Sequence, residues 1–109
     1  MTGIPNTDEI DQLLSEAIRL HRTGQLAEAT RLCQRVRQDA PNNLTALLLS
    51  GTIELQSGRY DAADQLFQLA QRVAPPSADA ATGRANALRA IGKLDQAFAV
   101  LDDILRKRP

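Results

Sequence analysis

Glycine, alanine and proline recur in this chain at an interval of 34 residues: Gly24, Gly58 and Gly92, then Ala29, Ala63 and Ala97, then Pro41, Pro75 and Pro109. Three of the six glycines and three of the five prolines fall in this one register, too many for coincidence. A repeat of this length is one supersecondary unit that cannot bury its apolar face alone and must stack on its neighbours. Divided by the period, the chain reads as residues 10–43, 44–77 and 78–109, behind a polar segment and helix cap at 1–9.

Within each unit the glycine separates two helical patterns. In the middle unit Tyr60, Ala63, Phe67 and Ala70 follow Gly58 at intervals of three and four, which marks one face of an α-helix. No stretch keeps the period-two alternation of a strand. Each glycine suits the position just past a helix end, where φ is positive and a Cβ is costly. Each proline follows the second helix and stops it. Asn42, Asn43 and Ser77 are candidate N-caps for the helices that follow. The pattern predicts six helices near 8–23, 26–39, 43–57, 60–74, 78–91 and 94–107, an all-α chain of three antiparallel hairpins. "SGRYDAA" at 57–63, like "TGQLAEA" at 23–29 and "IGKLDQA" at 91–97, is then a hairpin joint. Ala29, Ala63 and Ala97 are expected opposite Ala17, Gly51 and Ala85, so that small side chains let the paired backbones approach.

Composition narrows the class further. Thirteen basic residues balance thirteen acidic ones, and the pI is near 6.6, which argues against a nucleic-acid or membrane-surface protein. No apolar run is long enough to cross a bilayer. The opening "MTGIPNTDEID" lacks the basic and apolar regions of a signal peptide. A single cysteine, Cys33, cannot form an internal disulfide and suits a reducing compartment, so a cytoplasmic location is expected. Aromatics amount to Tyr60, Phe67 and Phe98, which leaves the core to Leu, Ile, Val and Ala.

A 34-residue helix–turn–helix with this small–small–Pro register resembles the tetratricopeptide repeat (TPR) family over residues 10–109. The large aromatics that the family often places early in the first helix appear here as Leu13, Leu47 and Ala81. The frequent tyrosine near that helix's end appears as Leu20, Glu54 and Leu88. The resemblance implies a right-handed α-α superhelix whose first helices line a concave groove, with caps needed at both ends. The N-terminal "NTDEIDQ" suits a cap. At the other end Leu101, Ile104 and Leu105 complete a helix, and Pro109 stands where a fourth unit would begin. The expectation is therefore a piece of a longer repeat array or multidomain protein, with self-association through Leu101, Ile104 and Leu105.

Catalytic chemistry finds no foothold. His21 and Cys33 are the sole nucleophile or base candidates, and Cys33 falls on the inward face beside Ala29 and Val36, the place of a structural thiol. His21 and Arg22 suit the end of the first helix, where positive charge is favourable. One His and one Cys are too few for a zinc site. Asp8–Glu9 and Asp102–Asp103 are sequence neighbours that point apart on a helix, and "RKRP" is too short for a nucleic-acid patch. The isolated glycines form no phosphate loop. No enzyme activity, cofactor or metal is expected.

Binding remains. The groove candidates are Arg22 in the first unit, Thr45, Thr52 and Gln56 in the second, and Asn86 and Arg89 in the third. Asp11, Leu14, Ile18, Leu48, Leu49, Asp79, Thr82 and Ala90 share that face. Leu14, Ile18, Leu48 and Leu49 serve equally well as packing between units, which periodicity does not separate from groove. Members of the family that capture the C-terminal carboxylate of heat-shock chaperones use Lys, Arg and Asn at five positions. Those positions map to Leu14, Ile18, Leu49, Asp79 and Gly83, none of which matches, and Asp79 would repel a carboxylate. The resemblance implies a scaffold that holds a peptide or helix of a protein partner, without nucleic acid or membrane. It implies one alternative, the non-catalytic N-terminal region of a bacterial sulfotransferase or glycosyltransferase, and the apolar end at Leu101, Ile104 and Leu105 suggests another, a self-association module.

Overall fold

The computed structural model describes residues 7–75 and 77–107, so the expectations for residues 1–6 and Pro109 lie outside the described residues. Six helices follow one another: α1 (Thr7–Arg22), α2 (Leu26–Asp39), α3 (Leu44–Gln56), α4 (Tyr60–Val73), α5 (Ala78–Ala90) and α6 (Leu94–Arg106). Each boundary falls within one or two residues of the sequence expectation. Gly24, Gly58 and Gly92 have φ of 81°, 81° and 83°, the left-handed region that the turn demands. Each closes its helix in the same way. The Gln25 N–H donates to the Leu20 carbonyl at 2.8 Å and the Gly24 N–H to His21 at 3.1 Å; Arg59→Glu54 with Gly58→Leu55, and Lys93→Leu88 with Gly92→Arg89, repeat this pair of bonds. The chain thereby turns back in three residues, and each hairpin is antiparallel. Asn43 and Ser77 cap the next hairpins, their side-chain oxygens accepting from the N–H of Ala46 at 3.0 Å and Ala80 at 3.2 Å.

Neighbouring helices pack in order, and α3 also comes close to α1 and α5, whereas among the described residues α4 approaches neither α2 nor α6. First helices therefore crowd one side and second helices spread over the other, which curves the stack with α1, α3 and α5 on the concave face. The result is a slab of 49 × 30 × 19 Å with a radius of gyration of 14.5 Å, above the roughly 13 Å of a compact domain of this size.

The core runs through the stack as one layer after another, with Leu14, Val36 and Ala46 joining the first unit to the second. Ala63, Phe67 and Ala87 join the second to the third. Ala29 and Ala63 are fully buried, as expected, and Ala97 is 7% exposed. Gly51 meets a further neighbour that the expectation did not name. A Cβ there would lie 2.8 Å from the Phe67 ring, and one on Gly83 would lie 2.4 Å from it. Both glycines make room for a single aromatic ring that α4 sends between α3 and α5. Asp64 of α4 and Arg84 of α5 add a half-buried ion pair at 2.8 Å across the same junction, with Gln68 donating to the same carboxylate. Cys33 is fully buried. Burial pushes its thiol up, opposed by a hydrogen bond to Ser50 and by the charge of Arg37, so the nucleophilic thiolate is suppressed.

Candidate functional site

On the concave side α1, α3 and α5 enclose an open cleft of about 520 Å³. Its apolar part comes from Ile18 of α1 and Leu48, Leu49 and Leu55 of α3, all half-buried, with Phe67 beneath Gly83. Leu48 and Leu49 thus serve both groove and core packing, whereas Ile18 lines the groove. Leu48 packs against the core around Leu66 and Ala70 and against that around Ala63 and Phe67, and Leu49 packs against the core that holds Ile53. Leu14 is core alone.

Of the polar candidates, Thr45, Thr52 and Asn86 line the cleft. The Thr52 hydroxyl donates to the Leu48 carbonyl at 2.9 Å, which leaves its oxygen free to accept from a ligand. The Asn86 carbonyl accepts from Arg89 at 3.2 Å, leaving the Asn86 amide N–H groups available. Gln56 lies at the cleft's end, its side-chain oxygen 2.7 Å from Nε2 of His21. Arg22 and Arg89 are exposed and flank the cleft without lining it. His21 was not among the groove candidates, yet it lines the cleft and ties α1 to α3. The helix-end position was legible, but the bond to a residue 35 places away was not. Asp79 and Thr82 also line it.

A nucleophile–base pair does not assemble, since His21 bonds to Gln56 whereas Cys33 bonds to Ser50. Among the described residues no three His, Cys, Asp or Glu side chains gather as a metal site would need, and no helix is long and apolar enough to cross a membrane.

The far end of the stack carries a second surface. Leu101 is half-buried against Ala85, Leu88 and Ala97. Ile104 is half-buried in another cleft, of about 560 Å³, which is also lined by α4 and α5. Leu105 is 60% exposed, and two residues not anticipated join it, Phe98 at 71% and Leu94 at 52%. Leu94, Phe98, Leu101 and Leu105 follow the spacing of four, three and four that places them on one stripe of α6.

Comparison with known proteins agrees with this architecture. The model of the tetratricopeptide repeat family matches residues 20–86. An O-GlcNAc transferase mutant from Thermobaculum terrenum superposes with a TM-score of 0.86 at 32% identity over 97% of this chain, which spans 21% of that protein. The type III secretion translocator chaperone SycD from Yersinia enterocolitica superposes with a TM-score of 0.86 at 19% identity, covering 95% of this chain and 81% of that one, a likeness of fold. No curated protein sequence matches the chain. With three in-phase helix hairpins and a family match over more than half its length, the chain belongs to the tetratricopeptide repeat family.

Proposed function

We propose that this repeat domain is a non-catalytic scaffold that holds a segment of a partner protein in the concave groove. The observation that carries the reading is the cleft of about 520 Å³, in which an apolar floor is combined with the free hydrogen-bonding capacity of Thr52 and Asn86. Such a mixture suits peptide recognition, with apolar pockets taking side chains and a few polar groups fixing register. In this reading the reducing cytoplasm is the setting, in keeping with one buried thiol. The test is photo-crosslinking from a benzophenone side chain placed at Thr52, against the same group at exposed Gln65 on α4. Capture from Thr52 that is lost on Asn86→Ala with Arg89→Ala supports the groove. Equal capture from both sites refutes it.

A second reading places these repeats ahead of a catalytic domain in a glycosyltransferase, supported by the 32% identity to the O-GlcNAc transferase. The sequence of the full-length gene tests it. A third, self-association, is supported by the exposed stripe of Leu94, Phe98 and Leu105 on α6. A size that stays monomeric up to millimolar concentration by light scattering eliminates it.

A further inference from the structure

The groove has two chemically different edges. The helices α1, α3 and α5 run parallel, because each is followed by an antiparallel partner. Residues 34 apart therefore occupy the same height on the concave wall. Asp11, Thr45 and Asp79 stand in register near the helix starts, and both acids are exposed. At the opposite edge His21, Leu55 and Arg89 share one register position, with Arg22 beside His21. Asp11, Asp79 and Arg22 form no side-chain hydrogen bond or ion pair among the described residues, and Arg89 bonds only to the neutral Asn86. Elsewhere some charges are paired and others, such as Asp61, Asp95 and Arg72, form no ion pair among the described residues. Asp64 is neutralised by Arg84, and Glu54 by Arg59 at 2.7 Å. The wall between the edges is apolar over α1 and α3, made by Ile18, Leu48 and Leu49, with Thr52 and Asn86 set among them.

We propose that the groove takes a protein segment with opposite charges at its two ends: a cationic side chain at the Asp11–Asp79 edge, an anionic one at the Arg22–Arg89 edge, and apolar side chains between. The proposal rests on the groove reading above and names the chemistry of its occupant. Ten residues separate Asp79 from Arg89, about 15 Å along a helix. An extended segment of roughly five residues spans that distance, as does a helical one of about ten. The two edges give the segment a direction, since reversing it sets Asp against Glu or Asp and Arg against Lys or Arg. Complementary charge at the rim acts mostly on encounter rate and orientation, and the apolar centre supplies the attraction that persists in salt.

The experiment is selection of a random twelve-residue peptide library displayed on phage against the whole chain, followed by fluorescence-anisotropy titration of the enriched peptides. The expected enrichment is a basic and an acidic residue separated by apolar ones. Asp11→Lys with Asp79→Lys should weaken such a peptide about tenfold, from reversal of two exposed pairs. Arg22→Glu with Arg89→Glu should do the same. The protein carrying all four changes should recover affinity for a peptide whose own charges are exchanged, which a merely structural effect does not produce. Thermal melts of each variant verify folding. Enrichment of neutral or single-sign peptides, or affinities unchanged by edge reversal, overturns the proposal while leaving the groove in place. Peptides whose binding survives Leu48→Asp and Thr52→Arg bind elsewhere, and that outcome removes the groove reading itself.

Discussion

Helices α4 and α6 are the same element 34 residues apart, and the contrast between them is instructive. Phe67 of α4 is 2% exposed, held against Gly51 and Gly83. Its counterpart Leu101 of α6 is half-buried. Asp64 of α4 is paired with Arg84 of the next unit, whereas its counterpart Phe98 is 71% exposed. The two helices share the hairpin joint, the turn hydrogen bonds and the amphipathic period. They differ in their neighbours: α5 lies over α4, and no described helix lies over the corresponding face of α6. Burial in a repeat array is therefore a property of the junction, and an apolar residue is core or surface according to what stacks upon it.

The largest effect that tests this contrast is loss of the ring. Phe67→Ala should cost about 3–5 kcal/mol in chemical denaturation, and Leu101→Ala less than half as much. Equal losses would mean that α6 is covered as fully as α4. Next comes overpacking. Ala63→Leu should cost about 1–3 kcal/mol, and the same change at Ala97, which borders the open end, should cost less. A sharper version uses the glycine. Gly83→Ala gains up to about 1 kcal/mol of helix propensity but sets a methyl group against the Phe67 ring. It should be destabilising in the native background and neutral or better in Phe67→Leu, and a double-mutant cycle by thermal unfolding reads the sign. Third, Asn43→Ala and Ser77→Ala should each cost about 1 kcal/mol by removing a helix cap, with similar values because the two junctions are built alike. Smallest in stability is Phe98→Gln on α6, expected within about 0.5 kcal/mol of the unchanged protein. Any concentration-dependent growth in size should diminish with it. Unchanged growth would place self-association elsewhere.

The fold was legible because its signals are local. A glycine at positive φ, a cap three residues ahead of the N–H it binds and a period of three to four are each set by a few consecutive residues, and the register of 34 repeats them. The site was legible in part. Thr45, Thr52 and Asn86 were read from their place on the first helices, and they line the cleft. His21 was not, because its partner Gln56 is distant in sequence. Nor was the role of Gly51 and Gly83, since a glycine within a helix says only that space is short, not which side chain fills it. Phe98 and Leu94 were passed over in favour of Leu101 and Ile104, because periodicity ranks apolar residues by face and not by what lies beyond that face.

By itself the sequence determined the six helices, their turns and their antiparallel pairing, through backbone conformation and hydrogen bonds between near neighbours. The tertiary structure alone decided that one aromatic ring would fill two glycine gaps, that Asp64 would be neutralised while Asp79 formed no ion pair among the described residues, and that α6 would keep an exposed apolar stripe. The physical reason is common to all three. Steric fit, desolvation and charge pairing act between surfaces brought together by stacking, and a residue's own sequence window does not contain the other surface.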